Sequence, residues 1–194
     1  MNILKSGIAV LAASVLLLSF AGCDKDSDDN DNDPGSTKPA CTSPVSQVNG
    51  DWTDSRSLFT NINVNECDVD LMKEDSDQRM NFLFVANKNG QKTVQPNDTV
   101  VEKVTLAPYK VNVTLLSQQY VDGVNANNLC GYSDWSLNVA KDVSGCADLG
   151  LDDTLPVGKD IAYIEGNKVM FGDDSIGIDG YPDTLDPNNY WTKK

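Results

Sequence analysis

The sequence contains no histidine. That removes the Ser-His-Asp and Cys-His nucleophile systems, His-ligated zinc and the usual proton shuttle of neutral pH. Positive charge is scarce. Lys and Arg total 15 against 29 Asp and Glu, a formal charge of −14, and Arg56 and Arg79 are the only arginines. So acidic a chain is a poor match for nucleic acid, whose phosphates need clustered Lys and Arg. Ser-x-x-Lys, Walker A, Gly-x-Ser-x-Gly and Cys-x-x-Cys motifs are absent as well. No stretch reads as a long amphipathic helix. Any catalysis would have to come from carboxylates, Tyr, Lys or Ser, and these absences favour a protein that is not an enzyme. What remains is 194 residues, 40% of them hydrophobic. That suits one compact domain better than two.

The N-terminus reads as an address. Met1–Ser6 carries one charge, Lys5, and Ile8–Phe20 is an unbroken apolar or small run of 13 residues, too short to span a bilayer. Small residues then lead to Cys23. This is the pattern of a secretory signal. Phe20-Ala21-Gly22-Cys23 resembles the lipobox of bacterial lipoproteins, with Phe20 where Leu is usual. The resemblance implies a diacylated Cys23 sulfur, cleavage before Cys23 and acylation of the new amino group. Three acyl chains exceed what stable anchoring requires. The expected divisions are a signal peptide over 1–22, an acylated tether over 23–40 and one domain over 41–194. The implied location is the bacterial cell envelope, held to a membrane through the N-terminal lipid, with inner or outer membrane left open.

Asp24–Ala40 holds six Asp and no large apolar residue. Such a segment buries too little surface to offset chain entropy and reads as a hydrated tether. Asp24, Asp26 and Asp28 alternate like calcium ligands. The Gly and Glu that an EF-hand loop requires do not follow.

From about Cys41 onward the apolar period is two. Met80, Phe82, Phe84 and Ala86 alternate with their neighbours, as do Val111, Val113 and Leu115, then Ile161 and Tyr163, then Val169 and Phe171. The expected strands lie near 49–56, 61–70, 79–87, 91–95, 99–106, 109–120, 134–139, 160–165, 168–172 and 189–193. Ser55–Thr60 could form one helical turn. Asn87-Lys88-Asn89-Gly90 reads as a turn, and Glu165-Gly166-Asn167 as a tight hairpin. The fold class is all-β, a barrel of about eight to ten strands or a sandwich.

Gly50-Asp51-Trp52 opens the first strand with Gly-x-Trp. That, the hairpin at Gly166-Asn167, the loop carrying Asp179-Gly180-Tyr181-Pro182 and the last strand at Tyr190-Trp191-Thr192 resemble lipocalin-like (calycin) domains. The resemblance implies an antiparallel barrel or half-barrel with Gly50 and Trp52 plugging one end beneath the last strand. The central Thr-Asp-Tyr motif is missing. So is the last-strand Arg that stacks on the plug; Lys193 is its nearest substitute.

Beyond Cys23 there are four cysteines, Cys41, Cys67, Cys130 and Cys146, at spacings of 26, 63 and 16. An even number in an exported protein favours two disulfides, and the spacings do not suit zinc pairs. Of three connectivities, Cys41–Cys67 with Cys130–Cys146 closes the shortest loops.

Tyr120, Tyr132, Trp135 and Tyr163 are candidates either to line an apolar pocket or to fill the core. The loop from Gly172 to Gly180, with Asp173, Asp174 and Asp179, resembles a hard-cation wrap, although an acidic surface loop explains it equally well. No cofactor is implied. The composite expectation is a non-enzymatic envelope lipoprotein that binds a small apolar ligand or an envelope protein. The alternatives are a carboxylate-based hydrolase and a purely structural envelope protein.

Overall fold

A computed structural model describes residues 37–95, 97–151 and 156–194. Cys23, the signal segment and most of the tether lie outside the described residues. Nine strands form in chain order: β1 (Gly50–Asp54), β2 (Asn61–Asn65), β3 (Asp68–Glu74), β4 (Gln78–Val94), β5 (Thr99–Leu115), β6 (Ala140–Asp142), β7 (Gly158–Glu165), β8 (Lys168–Gly172) and β9 (Leu185–Lys193). Each neighbouring pair is antiparallel. The order β1-β2-β3-β4-β5-β7-β8-β9 returns from β9 to β1, so eight strands close into a barrel. The ninth, β6, pairs with the second half of β5, whose first half pairs with β7. The closure removes the open sheet edges that a sandwich would leave.

Alternation sends one face of each strand inward. In β1 this face carries Trp52 and Asp54, in β2 Ile62 and Val64. Gly50 sits at φ +125°, and a Cβ there would lie 3.2 Å from Lys193 Cε. Glycine is needed at that close approach. The β7–β8 hairpin turns at Gly166 and Asn167, with Gly166 at φ 58°.

Several element boundaries differ from the sequence expectation. The 61–70 strand is two strands, because Glu66 takes φ 58° and turns the chain at Glu66-Cys67. The Asn87–Gly90 turn is instead a bulge within β4. Pairing with β5 shifts register between Lys88 and Gln91, Gly90 adopts φ 80°, and both flanks stay in the ladder. The 99–106 and 109–120 strands are likewise one, β5. Pro108 sits at a second register shift, opposite Phe84, where a missing N–H is tolerated.

β5 ends at Leu115. Ser117 then caps helix α1 (Gln118–Ala126), its hydroxyl accepting from Tyr120 N at 3.3 Å. The nine-residue helix buries Val121 and Val124. Residues 134–139 are not a strand. Asn125 bonds both the N–H (2.7 Å) and the carbonyl (3.0 Å) of Trp135 and so replaces ladder partners there. Ser55–Thr60 forms no helical turn. The carboxylate of Asp54 takes the N–H groups of Arg56 (3.2 Å) and Leu58 (2.8 Å), and Ser57 adopts φ 55°.

Both disulfides join the expected partners. Cys41–Cys67 has a Cα–Cα distance of 5.6 Å and Cys130–Cys146 of 5.2 Å. The first fastens the entering chain to the β2–β3 turn. The second closes the segment between β5 and β7, where Trp135, Val143 and Leu149 join the main core.

Candidate functional site

The barrel interior is not filled. A cavity of about 150 Å³ occupies the end ringed by the 55–60 and 173–184 loops. Its apolar wall comes from inward positions of five neighbouring or facing strands: Val69 and Leu71 of β3, Phe84 of β4, Leu106 of β5, Phe171 of β8 and Trp191 of β9, with Leu58 and Phe59 from the loop after β1. A smaller space of about 40 Å³ lies toward the opposite end, beneath the 3₁₀ turn Ser46–Val48. Val69, Leu106, Phe171 and Trp191 border both spaces. The Phe171 and Trp191 rings pack at 4.5 Å between centroids, tilted by 58°.

At the 3₁₀ end Trp52 is 2% exposed and its Nε1 donates to the Val48 carbonyl at 2.8 Å. Trp52 pairs in register with Lys193, whose Nζ lies 5.6 Å from the Trp52 ring centroid. This is a cation–π contact of the kind a last-strand Arg would make.

One wall of the larger cavity is polar. The inward positions of β7 read Gly158, Asp160, Ala162 and Ile164, and Asp160 lines the cavity at 5% exposure. Its Oδ1 accepts from Ile161 N at 2.7 Å and Gly172 N at 2.9 Å. Burial pushes its pKa up to about 7, against the two N–H donors and Arg56, which favour the anion. Gly172 is required here, since a Cβ would lie 2.9 Å from Asp160 Oδ1 and 2.4 Å from Pro182. Asn189 of β9 donates to the Gly172 carbonyl at 3.2 Å and fixes the same corner.

The aromatic residues singled out from sequence lie elsewhere. Neither cavity is lined by Tyr120, Tyr132, Trp135 or Tyr163. Trp135 is core at 3% exposure, its Nε1 donating to Leu129 O at 3.3 Å. Tyr132 packs edge-on against it, and Lys141 sits over the Tyr132 ring at 4.7 Å. Tyr120 packs from α1 against the main core. Tyr163 faces out of the barrel, into a small cluster with Val94, Val101, Ile161 and Tyr181.

The acidic loop does not gather its carboxylates. Asp173 accepts from Ser175 and Thr184; these bonds outweigh its burial and hold its pKa low. Asp179 pairs with Lys92 at 3.0 Å and Lys103 at 3.7 Å. Asp174 borders the cavity. Among the described residues no three His, Cys, Asp or Glu side chains converge as metal ligands.

Sequence reasoning missed Asp160, Arg56, Phe171 and Trp191 as cavity residues. Ile161 and Tyr163 on one face and Ala162 and Ile164 on the other make β7 apolar on both faces, so alternation alone does not say which face is the lumen. Compared with models of known protein families and with curated proteins, the sequence matches none.

Proposed function

We propose that the protein is a lipid-anchored lipoprotein of the bacterial envelope, not an enzyme, whose barrel holds a small and largely apolar ligand. The observation that carries this reading is the cavity inside the closed barrel, apolar on most of its wall and ringed by loops at one end. A cavity of about 150 Å³ has the size that accepts one benzene-sized ring, so the ligand is a single ring or a short chain.

The placement of the tether supports the same reading. Lys38 pairs with Asp68 at 2.5 Å, the Ala40 carbonyl accepts from Asn87 at 3.1 Å, and Cys41 is bonded to Cys67. These contacts lie at the β2–β3 turn, the end of the barrel away from the larger cavity. A chain anchored at Cys23 would therefore present the cavity away from the membrane. The alternative of a carboxylate hydrolase needs two carboxylates flanking one bond. Asp160 supplies one, whereas both oxygens of Asp173 on the same cavity accept from Ser175 and Thr184.

The test is a titration of the full-length chain with benzyl alcohol, followed by tryptophan fluorescence. Trp191 borders the cavity, and Trp52 and Trp135 do not border the larger one. A saturable change that Trp191→Phe abolishes supports the reading. A linear, non-saturating response would overturn it.

A further inference from the structure

The lumen carries one feature that an apolar ligand does not explain. Asp160 stands among Phe171, Leu106 and Trp191 with both of its hydrogen bonds on Oδ1. A buried carboxylate is costly unless it is paired. Its second oxygen, Oδ2, is left for whatever enters the cavity.

The charged groups facing Asp160 are as follows. From the loop after β1 comes Arg56, whose Nε lies 3.9 Å from Asp54 Oδ1. From the loop after β8 come Asp173 and Asp174. On β7 itself Lys159 also borders the cavity, with Nζ 5.6 Å from the Tyr181 ring. Lys73 of β3 borders the cavity from across the lumen. The cavity around Asp160 is thus lined by Asp173 and Asp174 on the acidic side and by Arg56, Lys73 and Lys159 on the basic side. Those charges balance, and what singles out a donor is Asp160 Oδ2, which accepts when the carboxyl is ionised. The chain's charge of −14 also concentrates cations around it.

Resting on the reading of the lumen as a ligand site, we propose that the ligand is a small apolar amine, its ring or short chain against Phe171 and Trp191 and its ammonium group donating to Asp160 Oδ2. A hydrogen bond between two charged groups adds to affinity where a neutral hydroxyl adds little. Binding also depends on pH. Asp160 titrates at about 7 when the site is empty, and an ammonium binds its ionised form. Affinity for an amine therefore rises from pH 6 to pH 8 and then levels. A carboxylic acid, which needs a protonated Asp160, would show the reverse.

The experiment uses three probes of one shape, benzylamine, benzyl alcohol and benzoate, titrated calorimetrically into the full-length chain at pH 6, 7 and 8. Benzylamine should bind about tenfold or more tighter than the other two at pH 8, and its affinity should fall toward pH 6. Asp160→Asn keeps an oxygen for the Ile161 and Gly172 N–H groups. It should remove the amine preference, so that benzylamine and benzyl alcohol bind within about threefold of each other. The pH profile of the unaltered chain tests the same point without a variant. Benzyl alcohol equal to or tighter than benzylamine would overturn the amine inference while supporting a neutral lumen ligand. Benzoate tightening as pH falls would overturn it in favour of an acid. No binding of any probe would overturn both this inference and the binding function on which it rests.

Discussion

Asp160→Asn should change how stability depends on pH, with little effect at low pH and the largest above pH 7. In the folded chain burial raises the Asp160 pKa from 3.8 to about 7. In the unfolded chain it returns to the ordinary carboxylate value. Between these two values the folded state holds a proton that the unfolded state has released. Stability therefore falls as pH rises through that window, and it levels above the folded value. Three units correspond to about 4 kcal/mol at most. Other carboxyls act oppositely: Asp142 and Asp173 are held low by hydrogen bonds that outweigh burial, and they add stability as pH rises. These terms are common to both chains and cancel in the difference. The assay is urea unfolding of the unaltered chain and the Asp160→Asn variant at pH 4.5, 6 and 8. The variant should gain on the unaltered chain by several kcal/mol between the lowest and highest pH, about 4 at most. Parallel stability curves would show that Asp160 is not a buried, protonated group and would refute the reasoning.

Trp52→Ala should cost about 3–5 kcal/mol, because it empties an aromatic core site and leaves the Val48 carbonyl without its donor; urea unfolding with a loss under about 1 kcal/mol would contradict the buried position. Mass mapping without reduction should recover Cys41 linked to Cys67 and Cys130 linked to Cys146, and reduction of the second should loosen the segment between β5 and β7 by about 3 kcal/mol. A Cys67–Cys130 peptide would contradict the register of the β2–β3 turn. Cys23→Ser should move the protein from the detergent phase to the aqueous phase of a phase separation, or block its processing. Unaltered chain found in the aqueous phase would remove the lipoprotein reading.

Much of the barrel was legible in the sequence. Met80 with Phe82, Val111 with Val113 and Val169 with Phe171 keep a period of two, and that period survives in the strands that form. The neighbouring places of β1 and β9 follow from closure, and the two disulfides from the shortest loops. Three things were hidden, each for a physical reason. Bulges absorb turn residues without ending a strand, so Asn87–Gly90 and Pro108 looked like breaks. Helix α1 is short, carries Gly123 and buries two valines, too little for a visible apolar stripe. The site was hidden by parity. Both faces of β7 are covered, one by the lumen and one by Tyr181 and its neighbours, so apolar Ile161 and Tyr163 drew attention from Asp160 beside them. Of the aromatic pair Tyr132 and Trp135, beside the Cys130–Cys146 disulfide, Trp135 proved to be core and Tyr132 is exposed.

Xenon tests the open lumen without any assumption about ligand chemistry, since it enters apolar cavities of this size. A crystal of the chain pressurised with xenon should show an atom inside the barrel, among Phe84, Leu106, Phe171 and Trp191. Side chains filling that space, with no xenon between them, would contradict a ligand-binding barrel.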